Sequence, residues 1–206
     1  MTRKTLILLK ILVWLACLAP FCWLVWGAVT NNLGPDPTAD MAFTTGLTTL
    51  RLLAITLAIT PLRRLWPRLN WLIKFRRLLG LFAFFYATLH MLTYVALYSG
   101  FNLSNMLADV ARRRFITVGV AAYLLLLPLA LTSTTWAIRK LGGKRWNRLH
   151  KLVYIAAVCG VIHYWWQVKT GVITPITITI IFAVLLLARP VQTILARRKA
   201  RIAVAA

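Results

Sequence analysis

Six long apolar segments constrain this chain more than any other feature of its sequence. A helix of about 20 apolar residues crosses a hydrocarbon layer of about 30 Å. Segments of this kind are predicted at about residues 6 to 28, 46 to 62, 78 to 98, 115 to 136, 150 to 168 and 174 to 190. Hydrophobic residues make up 61% of the chain, a balance typical of integral membrane proteins. We therefore expect an all-α, polytopic six-helix transmembrane bundle.

Basic residues between the apolar segments predict the orientation of the bundle. The chain has 25 Lys and Arg residues against only Asp36, Asp40 and Asp109, for a net charge of +22. With a cytoplasmic N-terminus, 20 of the 25 fall in cytoplasmic segments, which satisfies the positive-inside rule. The exceptions are Arg51, within a span, and four residues on the other side: Arg112, Arg113, Arg114 and Lys169. Both termini are thus expected in the cytoplasm, and Asp109 with its neighbours could form a short surface helix.

A soluble function is not expected from this sequence. The basic residues lie between spans rather than on one soluble face, which argues against a nucleic-acid partner and for contact with membrane lipid. The connections at about 28 to 45 and 99 to 114 are too short for a nucleotide-binding domain, and no Gly-rich phosphate motif occurs. Residues 1 to 206 are therefore predicted to form a single transmembrane domain.

All three histidines lie within or beside apolar segments, where an imidazole is costly unless it is paired or ligated. Iron is the leading candidate partner. The third and fifth spans run in the same direction, and His90 and His163 each lie about 12 to 13 residues, or about 18 to 20 Å, from the inner ends of those spans. The two side chains could therefore share one haem between the third and fifth spans. Each could instead form a hydrogen bond between helices.

A second metal site is considered near the cytoplasmic end of the fifth span. His150 precedes His163 by 13 residues, and the matching position on the third span is Arg76. On an ideal helix His150 would lie about 140° around from His163, so a bulge or laterally offset haems would be required. The alternatives are a headgroup-level role for His150 and a purely topological charge at Arg76.

Arg51 lies about five residues inside the second span, on its outer half, where a charge needs a partner. A propionate of an outer haem is one candidate partner. Snorkelling of the side chain to the membrane surface is the other reading.

Several sequence motifs resemble one known family. They are GLFAFFYATLH at 80 to 90, WNRLHKLVY at 146 to 154, IHY at 162 to 164, Asp36-Pro37, Thr45-Gly46 and ITPL at 59 to 62. With the six-span pattern, they resemble the ferric-reductase-like transmembrane family over nearly the whole chain. The likeness is greatest to its branch that serves methionine sulfoxide repair.

The resemblance implies a b-type cytochrome of the bacterial inner membrane, an electron-transfer subunit with no catalytic side chain of its own. Its expected partner is a periplasmic molybdopterin methionine sulfoxide reductase. Its expected donors are the quinone pool or a cytosolic flavin reductase, and FMN is an expected further cofactor. Related two-haem reductases offer two histidines on each of two helices, whereas this chain has only His90 on its third span. Arg76 would then substitute for the missing ligand of an inner haem.

Two other classes of protein remain open at this point. A transporter would be expected to show internal repeats with broken helices, and we find no convincing repeat between the two halves of the sequence. A structural or assembly subunit without haem is the other alternative.

Overall fold

The computed structural model describes residues 2–168 and 172–205, except for the side chains of 197, 199, 200 and 203–205. Lys169, expected on the non-cytoplasmic side, lies outside these ranges. The described residues form eight α-helices and no strand: α1 (Arg3–Val29), α2 (Pro37–Leu65), α3 (Arg76–Thr93), α4 (Leu103–Arg112), α5 (Arg114–Leu131), α6 (Thr135–Leu149), α7 (Leu152–Gln167) and α8 (Ile173–Ala205). A 3₁₀ segment, Pro67–Phe75, precedes α3, and a π-helical turn, Tyr94–Tyr98, extends it.

The helices confirm the predicted all-α transmembrane bundle. Helices α1, α2, α5 and α8, and α3 together with its flanking segments, are long and apolar enough to cross a membrane. Helix α7 is apolar but has only 16 residues, which is about 24 Å of helix. With these six passes, α1 begins and α8 ends at the same end of the bundle, which we name the basic end. The start of α2 and the whole of α4 lie at the opposite end.

Three helix boundaries differ from the sequence prediction. Helix α2 begins at Pro37, nine residues before the predicted start, because Asp36 caps it by accepting a hydrogen bond from the Ala39 amide at 3.0 Å. Helix α5 ends at Leu131 rather than at 136, and the connection that follows is itself the helix α6, with a break at Gly142 (φ 72°). Helix α8 continues past 190 to Ala205. Hydropathy does not predict the added helical turns of α2 and α8, because they contain polar residues.

Helix α2 is the centre of the bundle. More than half of its apolar stretch is buried, and it packs against α3 and α8 over much of its length. Alanines 83, 156 and 157, on α3 and α7, are at most 1% exposed, which allows the helix backbones to approach closely. Buried threonines on α2 donate to carbonyls four residues earlier, as Thr56 does to Leu52 at 2.7 Å. The hydroxyl groups of these threonines therefore form hydrogen bonds within α2 and need no partner on another helix.

One buried tyrosine of α3 forms two hydrogen bonds with the backbone of α1. Only 6% of the apolar stretch of α1 is buried. Tyr86, which is 0% exposed, donates its hydroxyl to the Cys17 carbonyl at 2.7 Å and accepts from the Phe21 amide at 3.0 Å. These two backbone groups flank Pro20, which has no N–H and interrupts the helix ladder. The hydroxyl therefore connects α3 to α1 at the turn where Pro20 interrupts the backbone hydrogen bonds of α1.

The predicted surface helix near Asp109 is present as α4 at the opposite end. Its apolar side chains, such as Leu103 and Leu107, are exposed. Asp109 pairs with Arg113 at 3.0 Å and accepts a hydrogen bond from the Tyr94 hydroxyl at 3.0 Å. Because Asp36 and Asp40 lie at the start of α2, all three acidic residues of the chain are at this end.

Candidate functional site

Two of the three histidines meet near the opposite end of the bundle. His90 lies in the last turns of α3 and His163 in the last turns of α7. Their ring centroids are 5.8 Å apart, and the ring planes are inclined by 82°. Of the described residues, no group of three or more His, Cys, Asp or Glu side chains could hold a metal ion together. The pair can therefore supply two ligands, and any further ligands must come from a bound group.

Backbone carbonyls fix the tautomer of both imidazoles. Nδ1 of His90 lies 2.9 Å from the carbonyl oxygen of Ala42 on α2, and Nδ1 of His163 lies 2.7 Å from that of Phe115 on α5. A carbonyl can only accept, so each Nδ1 carries the proton and donates it. Each Nε2 then has a free lone pair, which is the state in which histidine binds a metal.

Two glycines make room for these rings. A Cβ on Gly46 of α2 would lie 3.1 Å from Cε1 of His90. A Cβ on Gly119 of α5 would lie 2.7 Å from Nδ1 of His163, closer than real Cβ atoms come to other atoms. At 119 a larger residue would displace the His163 ring, whereas at 46 it would require the His90 ring to shift by a few tenths of an ångström. Thr45 adds a weaker contact, with its hydroxyl 3.5 Å from Nδ1 of His90.

The two histidine sites repeat each other along the chain. Each histidine contacts a carbonyl 48 residues earlier, and each glycine follows that carbonyl by four residues. Corresponding positions are 73 residues apart in the three pairs Ala42 and Phe115, Gly46 and Gly119, and His90 and His163. The structure thus adds a local correspondence between the halves, although the sequence shows no convincing repeat of the kind expected in a transporter. This correspondence involves one glycine, one histidine and a main-chain atom, so it does not stand out in the sequence.

His150 lies apart from this pair, at the basic end. It caps the end of α6, and α7 begins only at Leu152, so the ideal-helix offset from His163 does not apply. Its Nδ1 is 3.1 Å from the Trp146 carbonyl, and its ring stacks on the Trp146 indole with 3.7 Å between centroids. Its Nε2 is buried and has no hydrogen-bond partner among the described residues. His150 therefore also presents a free lone pair.

Burial favours the neutral form of His150, the form in which an imidazole can bind a metal. Removal of the ring from water is the largest cause and lowers its pKa, and the nearby charge of Arg76 lowers it further. Hydrogen bonds to the carbonyls of Trp146 and Leu129 act in the opposite direction. Arg76 itself is half-buried, whereas Arg77, 13 residues before His90, is exposed. The structure thus brings Arg76 rather than Arg77 near His150.

Arg51 is exposed and lies 14 residues into α2, deeper than the five residues that the sequence predicted, because α2 starts earlier. It has no hydrogen-bond or ion-pair partner among the residues that the structure describes. It is close enough to the Tyr164 hydroxyl to interact electrostatically, and Tyr164 follows His163 directly. The structure therefore places Arg51 on the His163 side of the bundle.

Fold and site together define a polytopic membrane protein with a pair of adjacent histidine side chains between two parallel helices. Residues 38–161 match the family model of the ferric reductase like transmembrane component, a range that contains His90 and His150 but stops just before His163.

Relatives of similar length support the same assignment. Each of three carries the name protein-methionine-sulfoxide reductase heme-binding subunit MsrQ. The relative from Ralstonia nicotianae is 49% identical over 82% of this chain and 76% of its own. That from Herminiimonas arsenicoxydans is 50% identical over 89% and 85%, and that from Rhodospirillum rubrum 44% over 93% and 92%. The chain therefore belongs to the ferric-reductase-like transmembrane family and, within it, to the MsrQ family.

Proposed function

We propose that this chain is a b-type cytochrome whose residues 1 to 206 act as one transmembrane unit. It passes electrons across the bacterial inner membrane to the periplasmic molybdopterin methionine sulfoxide reductase MsrP, for the repair of oxidised periplasmic proteins. The carrying observation is the pair His90 and His163, whose Nδ1 atoms donate to carbonyls and whose Nε2 atoms are free. The printed names of the relatives, which describe a heme-binding subunit of a methionine sulfoxide reductase, support the same reading.

The residues present fit a haem held by two histidines. The ring centroids of His90 and His163 lie 5.8 Å apart, and a carbonyl engages each Nδ1, so both Nε2 lone pairs would be available to one iron. Haem bound there would supply a one-electron couple, with a potential tuned by its axial ligands and its burial. His90 and His163 would hold the iron, Ala42 and Phe115 would orient the two imidazoles, and Arg51 would face a propionate.

The basic end is the proposed entry side for electrons. His150 and Arg76 lie there, and the free Nε2 of His150 is the group that could bind a second haem or contact a donor. The donor is the quinone pool or a cytosolic flavin reductase, and FMN is the flavin expected at this end. The positive charge around Arg76 would attract an anionic flavin or its carrier. No side chain of this chain is proposed as a general acid, base or nucleophile.

An absorbance spectrum tests the cytochrome directly. The purified chain should show a Soret band and split visible bands that respond to dithionite, and a pyridine haemochrome assay should give the haem count. A folded, colourless preparation from haem-replete cells would contradict the proposal and leave the structural-subunit alternative.

The proposed direction rests on both termini being cytoplasmic, as the 20 basic residues on that side predict. A reporter that works only in the periplasm, fused after Ala206, should be inactive. The same reporter inserted in the connection after α4 should be active. The reverse pattern would overturn the route from cytoplasm to periplasm.

A further inference from the structure

Helix α4 is confined to the membrane boundary by its short connections. Only residues 99–102 separate it from Tyr98, which ends the pass that contains α3, and only Arg113 separates it from the start of α5. Both neighbouring passes are long and apolar enough to cross a membrane. Four residues reach at most about 14 Å. The helix therefore stays close to the level at which these two passes leave the hydrocarbon layer.

The two faces of α4 differ in character. Four apolar side chains recur at the spacing of one helix face, which we name the α4 apolar face: Leu103, Met106, Leu107 and Val110. Leu103 and Leu107 are 65% and 63% exposed. The polar side chain of Asn105 lies on the other side of the helix. An exposed apolar face on a polar helix at a membrane boundary is typical of a helix that lies in the headgroup layer.

Three consecutive arginines stand at the end of α4. Arg112, Arg113 and Arg114 are all exposed. Arg113 pairs with Asp109 at 3.0 Å, whereas Arg112 and Arg114 form no ion pair among the residues that the structure describes. The cluster runs against the positive-inside rule, so membrane topology does not explain it. Phosphate oxygens are preferred partners of guanidinium groups, and lipid headgroups supply them at this level. Charge and apolar face thus both indicate a lipid surface.

Helix α4 is also bonded to both segments that hold the histidine pair. Tyr94, one turn after the histidine of α3, donates its hydroxyl to Asp109 at 3.0 Å. The Thr117 hydroxyl of α5 donates to the Val110 carbonyl of α4. Thr117 lies two residues after the carbonyl that orients the histidine of α7. The position of α4 is therefore coupled to both halves of the histidine site.

We propose that α4 lies in the headgroup layer of the lipid, with its apolar face against acyl chains and with Arg112 and Arg114 against lipid phosphates. Seated in this way, α4 acts as a clamp that holds the ends of α3 and α5 together through Tyr94 and Thr117. The lipid contact does not depend on haem. The effect of the clamp on haem binding rests on the proposed function.

Fluorescent labels on the two faces of α4 test the lipid contact. Leu107→Cys and Asn105→Cys are each made in the full chain with its three native cysteines replaced by alanine, labelled with nitrobenzoxadiazole, and reconstituted in phosphatidylcholine with phosphatidylglycerol. Both positions are exposed, and they lie about 160° apart around the helix, so Asn105→Cys is the matched control. Quenching by lipids brominated at different depths should place the label at 107 about 10 Å deeper, which is the width of a helix. Aqueous iodide should quench mainly the label at 105.

Two outcomes of the labelling would overturn the proposal. One is equal quenching by iodide at the two positions, which would mean that water covers both faces of α4. The other is shielding at 107 that appears only when purified MsrP is added, which would assign the α4 apolar face to the protein partner instead of the lipid.

Haem content tests the clamp. Tyr94→Phe and Thr117→Val each remove one bond to α4 and nearly keep the size of the side chain. Each should lower the haem retained after purification about two- to tenfold, the effect of one lost hydrogen bond. The low-spin signal of the remaining haem should shift in electron paramagnetic resonance, which a loss of stability alone would not cause. Tyr98→Phe changes an exposed tyrosine one turn after Tyr94 and should keep the parental haem content and signal.

The results separate the clamp from the cytochrome. Parental haem content and signal in both Tyr94→Phe and Thr117→Val would overturn the clamp. Lipid contact at 107 in a chain without a haem spectrum would contradict the cytochrome alone. A haem spectrum together with equal iodide quenching of the two labels would contradict the seating of α4 alone.

Discussion

Nδ1 of His163 lies 2.7 Å from the carbonyl oxygen of Phe115, 48 residues earlier in the chain. His90 has the same relation to Ala42, at 2.9 Å and with the same separation in sequence. The pairs α2–α3 and α5–α7 thus hold two imidazoles in the same tautomer. A hydrogen bond of this kind orients a metal-binding histidine and raises its basicity. The repeated contact therefore explains how two separate helices could present a pair of imidazoles suited to binding a metal.

The glycine beside His163 provides a test of this arrangement. In Gly119→Ala the new methyl group would lie 2.7 Å from Nδ1 of His163, so the imidazole must leave its carbonyl. We expect about a tenfold to hundredfold loss of haem affinity, the range seen when the support of a metal ligand is lost. Haem retained per protein after purification measures this loss.

Gly143→Ala is the matched control, because a Cβ at Gly143 meets nothing within 4 Å. It should retain the haem content of the parent chain. Gly46→Ala should have an intermediate effect, because its Cβ would lie 3.1 Å from Cε1 of His90. Full haem content in Gly119→Ala would show that His163 does not depend on the Phe115 carbonyl.

Substitution of either histidine should remove the same haem. Because their ring centroids are only 5.8 Å apart, we expect His90→Ala and His163→Ala to abolish the same low-spin haem. Reduced-minus-oxidised spectra and electron paramagnetic resonance of the two variants should match each other. A normal bis-histidine spectrum in either variant would separate the two residues and end the assignment of a shared iron.

Much of the fold could be predicted from hydropathy, whereas the site could be predicted only in part. Six apolar runs gave the bundle, and equal depth on parallel helices brought His90 and His163 together. The carbonyl oxygens that orient the two imidazoles could not be predicted, because every residue has a carbonyl. Sequence does not show that the carbonyls of Ala42 and Phe115 accept these hydrogen bonds. The bond from the Thr117 hydroxyl to a carbonyl of α4 could not be predicted for the same reason. The sequence there predicted only a short surface helix.

The bond between α1 and α3 predicts a stability effect. Tyr86→Phe removes the hydroxyl that bonds to both Cys17 and Phe21, and leaves buried backbone groups to find new partners. We expect a loss of about 1–3 kcal/mol in the free energy of unfolding. Thermal unfolding of the detergent-solubilised chain measures it. Tyr98→Phe is the control, since Tyr98 is 56% exposed and should change stability by less than about 0.5 kcal/mol. Equal stability of the two variants would mean that α1 is held by other contacts.

His150 should matter for electron entry and not for the histidine pair. It lies at the basic end, in a turn between α6 and α7, so His150→Ala should leave the spectrum of the His90 and His163 centre intact. An inner haem bound there, with Arg76 as its nearest candidate partner, should be weakly held and five-coordinate or high-spin, because an arginine ligand would have to give up its proton. Reduction of the pair by the cytoplasmic donor should slow about tenfold or more.

Two comparisons make the His150 result decisive. Arg148→Gln removes an exposed charge two residues away, and the donor should reduce this variant at the rate of the parent chain. The comparison separates loss of the imidazole from loss of local charge. Dithionite, which needs no docking site, should reduce the parent and both variants to the same extent. If His150→Ala destroys the low-spin signal of His90 and His163, then His150 belongs to that centre and the separation of the two sites is wrong. If His150→Ala does not change the rate of reduction by either the donor or dithionite, electrons enter elsewhere at the basic end.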